Sequence, residues 1–166
     1  MTAIVSSCGR YRYRLERDVQ LAGNTIAFFG INPSTADAET DDQTTRKLRG
    51  FAKLLGARRY LLGNVFAWRA TEVRELERAI YPIGRDNPVE LRNIICEADL
   101  LVACWGAKTK LPKDLRIYVD DVEAMLRESG KPLRVFGLTR GGDPLHPLTL
   151  GYSTQLVEWN PRWRLV

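Results

Sequence analysis

The chain has 166 residues, a net charge of +5 and 45% hydrophobic residues, the balance of one globular domain over residues 1–166 that is long enough to bury a core. No apolar run nears the roughly 20 residues needed to span a bilayer. In MTAIVSSCGRYRYR the basic residues follow the apolar ones, the reverse of a signal peptide, so a cytoplasmic protein is expected. Cys8, Cys96 and Cys104 form no CxxC and read as reduced thiols, which argues against a zinc or iron–sulfur site; no metal or cofactor is expected.

Tyr11 to Val19 alternates, with Tyr11, Tyr13 and Leu15 on one side and Arg12, Arg14 and Glu16 on the other. That pattern predicts a half-exposed strand, antiparallel or at an edge. After the Gly23-Asn24 turn, Thr25 to Ile31 reads as a buried strand that breaks into Gly30-Ile31-Asn32-Pro33-Ser34-Thr35. An acidic segment, Asp37 to Thr44, leads into a helix from about Thr44 to Leu55, with Leu48, Phe51, Ala52 and Leu55 on its apolar face and Gly56 at its C-terminal cap. Tyr60 to Phe66 is the next strand, and a short helical stretch from Thr71 ends near Pro82. A helix from about Val89 to Ala98 precedes a third core strand, Asp99 to Trp105. Pro112 opens a helix that runs to Gly130, and Leu133 to Leu138 is the fourth core strand. The tail, Tyr152 to Trp163, either adds a strand or packs as coil. This alternation predicts an α/β fold of three α/β/α layers, with a central, mainly parallel four-stranded sheet and an N-terminal edge strand.

Ligands of such sheets bind where strands end at their carboxyl side. Asn32, Asn64, Trp105-Gly106 and His146, the one histidine of the chain, should therefore share a rim. Gly30 permits close approach, Pro33 stiffens the turn, and Asn32 and Ser34 supply neutral hydrogen-bonding groups. There is no Walker loop, no GxGxxG after the first core strand and no GxSxG elbow. The pocket that remains is rich in amides and aromatics and suits a planar heterocycle. Asn64 would pair with its edge through acceptor and donor together, and Phe66, Trp68 or Trp105 would stack on its face. Asp37, Glu39, Asp41 and Asp42 either hold a divalent cation or, more simply, cap the following helix. Asp143, three residues before His146, is placed to raise the pKa of the imidazole. Basic clusters at Arg10-Arg12-Arg14, Arg46-Lys47-Arg49, Lys108-Lys110-Lys113 and Arg162-Arg164 either line a phosphate-binding groove or form a solvated surface.

The run GINPSTAD, then DDQTTRK, NVFAWRAT, a PIG loop and WG resembles the domain-of-unknown-function 1643 family from about Tyr11 to Leu150. More distantly the layout is similar to the uracil-DNA glycosylase superfamily. Gly30-Ile31-Asn32-Pro33 looks like the first motif of the mismatch-specific uracil glycosylases, and His146-Pro147 like the superfamily's final His-Pro motif. Asn64 falls where a strand-end Asn reads the base. The resemblance implies a nucleic-acid or nucleotide-like partner, base flipping, and cleavage of an N-glycosidic bond. Asn32 would position water, His146 would stabilise the leaving base, and Gly30, Pro33, Ser34, Asp42, Asn64, Phe66, Trp68, Arg69, Trp105 and Gly106 would surround it. Lys108 and Lys110 would meet nucleic acid, with Leu150 as the wedge. Leu148 and Thr149 stand where the superfamily has Ser after His-Pro, and Asn32 is not a carboxylate. Two other readings use the same pocket: a non-catalytic nucleotide- or nucleic-acid-binding protein, and an enzyme on a different small substrate with Asp42 and His146 as acid and base.

Overall fold

A computed structural model describes residues 1–159 of the chain. Four strands form the parallel centre of the sheet: β3 (Asn24–Gly30), β4 (Ala57–Asn64), β5 (Leu100–Ala103) and β6 (Leu133–Val135). Antiparallel strands widen it on both sides. β1 (Thr2–Val5) and β2 (Arg12–Asp18) lie beyond β4, and β7 (Val157–Glu158) lies beyond β6. The sheet is thus mixed and seven-stranded, in the order β1-β2-β4-β3-β5-β6-β7, larger than the four strands and one edge strand expected. The tail does add a strand, while Arg162, Trp163 and Arg164 lie outside the described residues.

Alternating strand side chains feed two cores, one on each face. Ile26, Phe28, Tyr60, Leu62 and Val102 pack with Leu48, Phe51 and Ala52 of α1 (Gln43–Leu54). On the other face, Ala27, Phe29, Leu61 and Leu101 pack with Leu91, Ile94 and Ile95 of α2 (Asn87–Glu97) and with Val119, Val122 and Leu126 of α3 (Arg116–Glu128). Burying these apolar stripes is the main force holding the layers together. None of the described helices is long and apolar enough to cross a membrane.

The chain leaving β3 crosses to the α1 face, whereas the chains leaving β4 and β5 cross to the face of α2 and α3. Connections that diverge in this way open a crevice above the strand between them. Here the crevice sits over the carboxyl end of β3.

Of the expectation for Tyr11 to Val19, the antiparallel pairing holds and the half-exposed side does not. β2 is an interior strand, and Arg12 and Arg17 are almost fully buried on it. Val5 pairs with Arg12 and Ile4 with Arg14, which leaves Tyr13 as an extra residue in the ladder. A bulge of this kind re-aims the side chains on one side of it. Arg12 and Arg17 are five positions apart and would face opposite ways in a regular strand, yet both reach the loop after β3. Arg12 donates to the Ala36 carbonyl at 2.8 Å, and Arg17 donates to Asp41 at 2.7 Å and to the carbonyls of Asp37 and Thr40. Arg14 is also withdrawn from solvent, paired with Glu97 at 2.6 Å and Glu16 at 3.0 Å. The Arg10-Arg12-Arg14 cluster is therefore internal structure for two of its three members.

Candidate functional site

A cavity of about 920 Å³ occupies the crevice. Gly30, Asn32 and Ser34 enter it from the end of β3, Asn64 from the end of β4, Trp105 and Gly106 from beyond β5, and His146 from the long connection after β6. Asp42 and Lys110 complete the set of expected residues on its wall. Four strand ends thus contribute to one chamber.

Asn64 is almost fully buried. Its Oδ1 accepts from Arg12 Nη2 at 3.2 Å, and its main-chain carbonyl accepts from Asn87 Nδ2 at 3.0 Å. A Cβ on Gly30 would lie 2.8 Å from Asn64 Nδ2, so glycine at the strand end makes room for this amide. One lone pair of Oδ1 is thus engaged by Arg12 and the other is left to accept. Arg12 itself lines the cavity. Its hydrogen-bond partners are neutral oxygens, and burial pushes its guanidinium down to about 10, partly offset by Asp42. It remains a cation at neutral pH.

Asn32 donates from Nδ2 to the Ala70 carbonyl at 2.7 Å and the Pro33 carbonyl at 3.2 Å. Both amide hydrogens are engaged, which fixes the side chain and leaves Oδ1 as its acceptor. His146 Nδ1 accepts from the Leu148 main-chain N–H at 3.3 Å, so the neutral ring carries its proton on Nε2. Burial, helped by Lys110, lowers the imidazole pKa below its usual 6.5, while Asp42 opposes the shift. Asp143 is not among the groups that shift the imidazole; its Oδ2 accepts from the Lys108 main-chain N–H at 3.1 Å. Gly106 lies against His146, with a φ of +80° and 3.3 Å between a Cβ built on it and the His146 Cβ. A larger residue would be strained there and would press on the imidazole.

Asp42 is the N-cap of α1, accepting from Thr45 N at 2.8 Å and Thr45 Oγ1 at 3.0 Å. Asp41 is paired with Arg17 and, at 3.3 Å, with Arg49. Two main-chain N–H groups, of Glu39 and Thr40, donate to Asp37 Oδ1 and lower its pKa. The acidic segment is thus bound up in its own loop and in two arginines. Among the described residues no three His, Cys, Asp or Glu side chains gather as a metal site.

Other expected site residues fall outside the cavity wall. Phe66 is fully buried in the α2/α3 core, edge-on to Tyr118, and Trp68 packs edge-on against Tyr11 with Arg10 over its ring. Neither is placed to stack on a ligand. Pro33 is buried and its carbonyl accepts from the Ala70 N–H. Arg69 reaches the Thr35 carbonyl at 3.2 Å. Lys108 is paired with Asp120 at 2.6 Å, and Leu150 packs against the α1 core. Trp105 is the aromatic residue that lines the chamber; it is 3% exposed and edge-on to Trp159.

The sequence reading missed Arg12 as a wall residue, because the bulge that redirects it has no signal in the alternating pattern. It also missed Gln43, Thr44 and Thr45 at the start of α1. The acidic segment before them did mark that helix start. Cys104 lines the chamber too, yet burial pushes its thiol up to about 12, which leaves it protonated and unreactive.

The sequence model of one family, described as "Protein of unknown function (DUF1643)", matches residues 12–148. The chain belongs to the DUF1643 family. The match spans the strand ends that form the cavity and begins at Arg12 itself. No curated protein and no solved structure matches the chain.

Proposed function

We propose that this DUF1643 protein binds a nucleobase in the cavity above β3 and hydrolyses the N-glycosidic bond of a modified or deaminated base. The observation that carries the reading is the convergence of Asn32, Asn64 and His146, from three different strand ends, on one chamber of about 920 Å³. The GINP and His-Pro motifs, similar to those of the uracil-DNA glycosylase superfamily, point to the same chemistry. That volume admits a base with its sugar and phosphate.

In this mechanism the base is drawn out of the stack and its edge meets Asn64. The bond from C1′ to the base nitrogen breaks, and the base departs with the electron pair. His146, neutral and protonated on Nε2, donates a hydrogen bond to the charge growing on a base oxygen. Asn32 Oδ1 accepts from a water and holds it towards C1′. That water adds to the cationic sugar, and its proton passes to solvent. Asn32 is a weak base, so its contribution is placement, worth less than removing a proton would be.

Incubation with oligonucleotides that contain uracil, hypoxanthine or hydroxymethyluracil tests the reading. Abasic product from the wild type, absent from the Asn32→Ala/His146→Ala double variant, is the expected outcome. No product from either overturns the hydrolase.

One observation favours binding without chemistry. Asn32 spends both amide hydrogens on the main chain, and the nearby carboxylate of Asp42 is occupied in capping α1. Affinity that falls steeply with salt, with no turnover, identifies that alternative.

A further inference from the structure

Asn64 sits at the centre of the proposed base site, yet it does not set its own orientation. An asparagine amide has an acceptor end and a donor end of nearly the same shape, and only its hydrogen-bond partners decide which way it points. The partner here is Arg12, whose guanidinium has donors and no acceptor. Arg12 Nη2 lies 3.2 Å from Asn64 Oδ1, and its Nη1 is anchored 2.8 Å from the Ala36 carbonyl. The reversed amide would set N–H groups against N–H groups in a buried site. The other end, Nδ2, is beside Gly30 on the cavity wall.

We infer that Arg12 is a positioning residue that locks and polarises the Asn64 amide, so that the cavity meets its ligand with a fixed hydrogen-bond donor and selects a heterocycle presenting a carbonyl oxygen over one presenting an amino group. The ligand half of this inference rests on the base-binding reading above; the Arg12 half stands on geometry alone. Three features carry it. Arg12 Nη1 and Nη2 each bond a protein oxygen, of Ala36 and of Asn64, so its effect on the cavity is exerted through Asn64. A cation on Oδ1 withdraws electron density from the amide, which strengthens the N–H donors and weakens the oxygen as an acceptor. The second donor on the wall has the same sense: Leu148 N–H on His146 Nδ1 leaves the proton on Nε2. An amino group brought to Nδ2 would face donor against donor.

The bulge at Tyr13 makes this contact available by turning Arg12 towards the same side as Arg17. The Ala36 anchor also joins the reader to the loop that carries Asn32 and Ser34. The loop after β3 and the Asn64 strand end are thereby fixed to one guanidinium.

The test uses the full chain, with Asn64 side-chain amide signals assigned by their loss in Asn64→Ala. In the wild type the two amide protons of Asn64 should be well separated and exchange slowly; in Arg12→Met they should converge and exchange faster. Unchanged signals in Arg12→Met overturn the positioning role. In equilibrium binding, wild type should hold uridine about tenfold more tightly than cytidine. Arg12→Met should bring the two within about threefold, and Arg12→Lys should recover part of the gap. A uniform weakening that leaves the ratio intact would show a merely structural arginine and overturn the selectivity. Should Arg12→Met not fold, Gly30→Ala displaces Nδ2 from the opposite side with Arg12 in place, and the same loss of ratio is expected; a retained ratio overturns the inference. If wild type binds neither nucleoside, the selectivity half fails along with the base-binding reading, while the amide signals still decide whether Arg12 sets the orientation.

Discussion

At the scale of single residues the site depends on atoms that are already engaged. His146 Nδ1 accepts from Leu148 N–H, and its pKa is lowered mainly by burial. The unfolded chain therefore takes up this proton more readily than the folded protein. The associated stability is fully present above about pH 6.5 and declines as pH falls towards the lowered folded value. Urea midpoints at pH 7.5 and 5.5 should show a fall for wild type that is reduced in His146→Gln. In the glycosylase assay His146→Ala should cost about 10²-fold in rate, the usual scale for losing one donor to a developing anion, while His146→Gln, which keeps an N–H, should cost less. Gly30→Ala makes a second residue-scale prediction. The added carbon sits 2.8 Å from Asn64 Nδ2, so something must shift, and a shift of the amide strains its bond to Arg12. Loss of that charge-assisted bond should cost about 1.5–3 kcal/mol, read by urea denaturation. A change near zero would mean that the amide moves freely.

At the scale of elements, the loop between β3 and α1 is held at both ends. Asp42 caps α1 through Thr45, and Arg17 grips the loop through Asp41 and two carbonyls. Asp42→Ala should lower stability by about 1 kcal/mol, whereas Asp42→Asn, also a good N-cap, should stay close to wild type in a denaturant titration. The Asn variant also separates the roles proposed for this residue, since unchanged turnover there excludes Asp42 as an acid or base. This element was well marked in the sequence: an acidic stretch before Leu48, Phe51 and Ala52 predicted a capped helix, and α1 starts one residue before the expected position. The strand ends were legible for the same reason. Short apolar runs that stop at Gly30, Asn64 and Gly106 announce where buried strands give way to loops. The side chains of Phe66 and Trp68 were not legible in this way. Both lie beyond the end of β4, where strand alternation no longer sets direction, and they turn into the α2/α3 core and against Tyr11.

At the scale of the whole molecule, the antiparallel side of the sheet is joined to α2 by an ion network in which Arg14 and Arg59 share Glu16 and Glu97. Hydrogen bonding from Arg14 is the chief cause of the lowered Glu97 pKa. The network's contribution is present above the unfolded carboxylate value near 4.5 and is lost as pH falls through the lowered folded value. Glu97→Gln should therefore lessen the acid dependence of stability below about pH 4.5, measured by thermal unfolding across pH. Part of the arginine is spent inside the fold, with Arg12, Arg14 and Arg17 committed to main-chain carbonyls, Glu97 and Asp41. Local periodicity, which depends only on the chemistry of neighbours, determined the βα alternation, the parallel centre and the strand-end loops. The tertiary structure alone decided the strand order, the burial of Arg12 and Arg17, and the pairing of Arg12 with Asn64. Those depend on pairing between segments far apart in the chain, with a one-residue bulge setting the direction of Arg12, and no pattern of apolar and polar residues records a register.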